Sequence, residues 1–114
     1  MRIGRLAEAT GVSARSLRYY ESLGLIVSRR TSGGWRDFDA AMVDRVVMIQ
    51  NLFAAGLRSA TIMELMPCLE APADERTGHL EHRLADEVRR LEAARRDIER
   101  ELDVLRALQS EVTA

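Results

Sequence analysis

A chain of 114 residues has room for one small domain and one long helix, but not for two folded domains of ordinary size. With 46% hydrophobic and 31% charged residues and a net charge of −1 at pH 7, the composition excludes an unstructured polyelectrolyte and a uniformly basic polyanion binder. No apolar run approaches the roughly 20 residues that a bilayer span requires. The start, Met-Arg-Ile-Gly-Arg, has no apolar signal core, and the single cysteine, Cys68, cannot close an internal disulfide, so the expected location is the cytoplasm, with no membrane partner.

The charge is unevenly spread. Residues 1–36 carry seven arginines (Arg2, Arg5, Arg15, Arg18, Arg29, Arg30 and Arg36) against Glu8 and Glu21, a balance of +5, which leaves −6 for the remainder. Such asymmetry assigns an anionic partner to one part of the molecule and a different role to the rest.

In chain order, Ile3 to Ala9 reads as a helix with Ile3, Leu6 and Ala7 inward, stopped at Thr10-Gly11. A second helix starts almost at once. Ser13 is placed to cap it, Leu17 and Tyr20 form its one apolar stripe, and Arg15, Ser16, Arg18 and Tyr19 are left outward. Arginine pairs bidentately with guanine or phosphate, and hydroxyls of serine and tyrosine donate to phosphate oxygens, so Val12 to Glu21 reads as a DNA-reading surface. Two short helices around a tight glycine-containing turn are the helix-turn-helix arrangement, whose second helix enters the major groove.

Gly24 ends the second helix, and a β-prone apolar run follows at Leu25-Ile26-Val27. The basic stretch Ser28 to Gly34 and then Trp35-Arg36-Asp37-Phe38 suggest a small hairpin, with Phe38 inward, that serves as a wing beside the reading helix. Asp39 is expected to cap a third helix to about Ala55, with Val43, Val46, Val47, Ile49, Leu52 and Phe53 spaced for burial. Ser59 is expected to cap a fourth, Ala60 to Met66, stopped by Pro67. Leu69 to Thr77, with Pro72, reads as a linker.

From about Thr77 the pattern is that of one long helix. Leu84, Leu91, Ile98, Leu105 and Val112 recur every seven residues, with Val88, Arg95, Leu102 and Gln109 four residues after the first four of them. This alternating seam is the period of a coiled coil, and so narrow a stripe needs a partner helix from a second copy. The domain boundaries expected are therefore 1–68 for the winged helix-turn-helix, 69–76 for the linker and 77–114 for the dimerisation helix. The fold class is mainly α.

Several words in series, Ile3-Gly4-Arg5-Leu6-Ala7, Thr10-Gly11-Val12-Ser13, Leu17-Arg18-Tyr19-Tyr20-Glu21, Gly24-Leu25, Gly34-Trp35-Arg36-Asp37-Phe38 and Gly56-Leu57 with Ile62, carry a resemblance. The chain resembles, across nearly its full length, the mercury-resistance regulator (MerR) family of bacterial transcription factors. The resemblance implies a winged helix-turn-helix, two further helices and an antiparallel dimerisation helix, and with them a homodimer on an inverted-repeat promoter site. It implies that Arg18 and Tyr19 contact DNA from the reading helix and that Arg36, with Gly34 and Trp35, contacts phosphates from the wing. It also implies activation by distortion of promoter DNA so that RNA polymerase engages both promoter elements.

Two departures stand out: Trp35 takes the place of the family's usual wing tyrosine, and Ser28 that of a common proline, which predicts a looser entry to the wing. The cysteine loop of metal-sensing members and the ligand domain of drug-sensing members are not expected. Two alternatives stay open. Cys68 with His79 and His82 could make the chain a metal sensor, though the fourth ligand is missing, so no cofactor is expected. The coiled coil could instead recruit a different protein, with DNA binding secondary. No paired carboxylates, nucleophile-base pair or phosphate-cradling glycine loop suggests an enzyme.

Overall fold

The computed structural model describes residues 1–76 and 78–114, so the expected helix start at Thr77 lies outside the described residues. The chain divides into two compact units, Met1–Glu70 and Ala71–Ala114.

The first unit holds four helices and a two-stranded hairpin. Helix α1, Ile3–Thr10, ends at Gly11, whose φ of 73° is the left-handed conformation that lets its N–H reach back to the Ala7 carbonyl. Thr10 reinforces this end, its hydroxyl donating to the Leu6 carbonyl at 2.8 Å. Helix α2, Ala14–Ser22, starts two residues later behind Ser13, whose Oγ accepts from the Ser16 amide at 3.1 Å. Strands β1, Arg29–Arg30, and β2, Arg36–Asp37, pair antiparallel with Arg29 opposite Asp37 and Arg30 opposite Arg36. Helices α3, Met42–Ala54, and α4, Ser59–Glu70, complete the unit.

Helix α1 packs on both α2 and α3, and α3 packs on α4. Leu6, Leu17, Leu25, Ile26, Phe38, Val46, Ile49, Ile62, Leu65 and Met66 fill the interior. Tyr20 lies almost parallel to Phe53, ring centroids 5.5 Å apart, while its hydroxyl accepts from Gln50 Nε2 at 2.7 Å. A large aromatic is thereby buried without stranding its polar end. Arg45 of α3 ties three segments together, donating from Nε to the Leu25 carbonyl at 2.6 Å and pairing with Glu70 of α4.

Three local expectations are corrected. Asp39 does not cap α3: the helix begins at Met42, and Asp39 instead accepts from the Ala41 amide through Oδ1 and from Met42 through its carbonyl, a turn that precedes the helix. Val47 is largely exposed rather than buried. Helix α4 takes Ser59 as a helical residue and runs through Pro67 to Glu70. Proline forfeits only its own amide bond and strains one carbonyl contact, and burial of Leu65 and Met66 just before it holds the backbone helical on both sides.

In the second unit a single 3₁₀ turn, Ala73–Glu75, precedes helix α5, Gly78–Thr113, of 36 residues. Asp86 with Arg89, Glu87 with Arg90 and Asp97 with Arg100 form ion pairs three residues apart along it, which add modest helix support. Its seam is bare. Leu84, Val88, Leu91, Ile98, Leu102, Leu105 and Val112 are all exposed, from 39% at Leu84 to 84% at Val112.

Candidate nucleic-acid interface

Helix α2 is short, so its two faces separate cleanly by spacing. Leu17 and Tyr20 are buried, three residues apart, and hold the helix on the core. Arg15, Arg18, Tyr19 and Ser22 follow the i, i+3, i+4, i+7 spacing of the opposite face, and all four are exposed. Among the described residues Arg15 and Arg18 have neither a hydrogen-bond nor an ion-pair partner, so their guanidinium groups keep their full donor sets for a ligand. Ser13 and Ser16 are partly committed to each other: Ser13 Oγ donates to Ser16 Oγ at 3.1 Å while capping the Ser16 amide.

The wing is built around a tight turn. The Thr31 amide donates to the Trp35 carbonyl at 2.8 Å, and the Gly34 amide to the Thr31 carbonyl at 2.9 Å. Gly34, with φ of 84°, occupies a conformation that side chains with a Cβ rarely adopt. Arg30 stiffens the turn by donating from Nη1 to the Gly34 carbonyl at 2.9 Å. At its tip Trp35 is 57% exposed, and the Arg2 guanidinium lies 4.1 Å above the ring.

Glu21 joins reading helix and wing, a role that sequence reasoning missed. One carboxylate oxygen forms an ion pair with Arg36, 2.7 Å from Nε, and the other accepts from the Ser28 hydroxyl, so the last turn of α2 grips β2 and the entry to β1 together. At the entry to the wing, where a looser path was expected, Ser28 supplies a hydrogen bond to Glu21. The one signal available was Glu21 itself, one of only two acids within a segment of seven arginines. Arg36 meets this pair through Nε and is partly exposed.

A second clamp lies at the chain start. The Met1 ammonium donates to Asp37 Oδ1 and to the Phe38 carbonyl, each at 2.7 Å, and the Phe38 amide donates back to the Met1 carbonyl. The hydrogen bond from that ammonium, and then its charge, hold the Asp37 carboxyl below the usual carboxylate range.

Cys68 lies on α4, His79 and His82 lie on α5, and among the described residues no group of three or more His, Cys, Asp or Glu is gathered to hold an ion.

A family model described as "MerR HTH family regulatory protein" matches residues 1–68, which is more than half of the chain. The chain belongs to the MerR family. Residues 1–68 carry that family's helix-turn-helix.

Among curated relatives, the nodulation protein NolA of Bradyrhizobium elkanii is 43% identical over 81 residues, which cover 70% of this chain and 37% of that protein. The regulator TnrA of Bacillus subtilis is 41% identical over 64 residues, 56% of this chain and 58% of that one. The chain thus spans between about a third and three fifths of the curated relatives' length.

Among MerR structures, a regulator from Listeria monocytogenes superposes with a TM-score of 0.68 at 25% identity, covering 88% of this chain and 79% of its own. HiNmlR, described as a MerR family regulator lacking the sensor domain and bound to promoter DNA, gives 0.64 at 22% identity, covering 90% and 78%, a likeness of fold alone. No helix of the chain is long and apolar enough to cross a membrane, among the described residues.

Proposed function

We propose that this chain acts in the cytoplasm as a homodimer on an inverted-repeat promoter site. Arg18 and Tyr19, with Ser13, Arg15 and Ser16, contact DNA from α2, and Gly34, Trp35 and Arg36 contact its backbone from the wing. The observation that carries this reading is the bare face of α2, with Arg15 and Arg18 unpaired, beside a wing that Glu21 fixes to the same helix. A reading head of two rigidly joined parts meets a groove and its flanking phosphates without further ordering cost.

Two copies pair antiparallel along Leu84, Val88, Leu91, Ile98, Leu102, Leu105 and Val112, the exposed seam of α5. Two heads held at a fixed separation act as a lever on the promoter. Bending a site costs roughly 1–6 kcal/mol, offset by contacts that the deformation permits, and the distorted promoter is the form that RNA polymerase engages.

Stoichiometry and shape test this reading. Two chains per inverted-repeat duplex, with much weaker binding to a lone half-site and a bend detected by circular-permutation mobility, are the expected results. One chain per duplex, or an unbent complex, contradicts the dimeric lever. The exposed seam also favours a second reading, pairing with a different protein; a chain that sediments as a monomer at micromolar concentration would select it.

A further inference from the structure

Three arginines from three separate segments line one shallow cleft of about 200 Å³: Arg2 ahead of α1, Arg30 of β1 and Arg36 of β2, together with Gly34 and Trp35 of the wing turn. None of the residues lining it is acidic. Glu21 engages Arg36 through Nε and so offsets part of one charge, and Arg30 gives one of its five donors to the Gly34 carbonyl. Arg2 gives up none to an acid: among the described residues it has no ion-pair partner, and its guanidinium carbon lies over the indole, 4.1 Å from the ring centre. Stacking fixes the plane of a guanidinium while leaving its edge N–H groups outward, the pre-organisation that suits a phosphate.

The backbone of Arg2 is equally fixed. Its carbonyl accepts from the Arg5 and Leu6 amides at the head of α1, and the preceding residue is bound to Phe38 in both directions. We infer that this cleft seats one phosphodiester of the DNA backbone, and that Arg2 is a phosphate-contacting residue carried in place by Trp35. The inference rests on the DNA-binding reading above and adds to it a third contact element, the segment before α1. Trp35 then acts chiefly as the plane that positions Arg2.

The test uses the full chain with a labelled duplex selected for tight binding from a random pool, and a scrambled duplex, titrated over a range of salt. Arg2→Ala is expected to weaken both duplexes by the same factor, roughly fivefold per half-site, and to lower the slope of log K against log salt by about one per half-site. Arg2→Lys is expected to keep the slope, because the charge remains. In a Trp35→Leu background, Arg2→Ala is expected to cost clearly less than in the wild type, the coupling expected of a residue that acts through another.

An unchanged slope in Arg2→Ala, while Arg18→Ala still abolishes discrimination, would overturn the cleft and leave the DNA reading standing; a random pool from which the wild-type chain enriches no duplex overturns both. Trp35 is the only tryptophan, so its emission reports the cleft directly. Saturation of that emission by millimolar inorganic phosphate without DNA would make the free anion the ligand and overturn the assignment to DNA.

Discussion

The two units of this chain hold their apolar residues in opposite ways. In Met1–Glu70 the large side chains close on one another, with Leu6, Leu17, Leu25, Val46, Ile49, Ile62 and Leu65 wholly buried. In α5 every residue from Arg89 onward is exposed, Ile98 and Leu105 included. A unit with an internal core is stable by itself. A long helix with a narrow bare stripe draws its stability from a partner, since isolated helices are marginal in water. On the proposed reading recognition belongs to the first unit and assembly to the second, and the contrast is open to attack from either side.

The largest effect is expected at the seam. Ile98→Glu places a charge at its middle and should convert a sedimenting dimer to monomer while the melting of residues 1–70, read from the near-ultraviolet signal of Trp35 and the tyrosines, stays in place. Loss of both signals together would show that the units are not independent. Leu17→Ala should do the reverse, lowering the stability of the first unit by roughly 2–5 kcal/mol in urea melts without dissolving the dimer. Glu21→Ala removes the grip of α2 on the wing. Because the pair is partly solvated, about 1 kcal/mol of stability is expected to go, but hydrogen exchange at the Thr31 amide, which donates to the Trp35 carbonyl, should accelerate well beyond that at α3.

The smallest effect is one of pH. Burial raises the Tyr20 phenol above its ordinary value, with the Gln50 hydrogen bond opposing. A raised folded value means that the contribution is fully present below the unfolded value near 10 and is lost as pH rises through the folded one. Tyr20→Phe should therefore flatten the alkaline end of the stability profile, and a profile unchanged by the substitution would put the desolvation of Tyr20 in doubt.

Legibility in the sequence followed the range of the interactions. The stop at Gly11, the cap at Ser13, the inward turn of Phe38 and the 4,3 seam are local or periodic signals, and each was readable from neighbours in the chain. What was not readable joins distant segments. Glu21 meets Arg36 fifteen residues on, Arg45 meets Glu70 twenty-five residues on, and Arg2 meets Trp35 across a helix-turn-helix. No spacing rule predicts such pairs. The misplaced end of α4 has the same origin: Pro67 is a local stop signal, and tertiary burial of Leu65 and Met66 outweighed it. The candidate site was readable only as exposed residue types on α2 and the wing, whereas the Glu21 contacts that join the two were not.

The most direct test of the central claim, that the bare face of α2 reads DNA sequence, is the discrimination ratio of Arg18→Ala between the selected duplex and a scrambled one at fixed salt. The account predicts that the ratio collapses toward one, a loss of roughly 1–3 kcal/mol per half-site, with affinity for the scrambled duplex falling far less. A ratio equal to that of the wild type would contradict it.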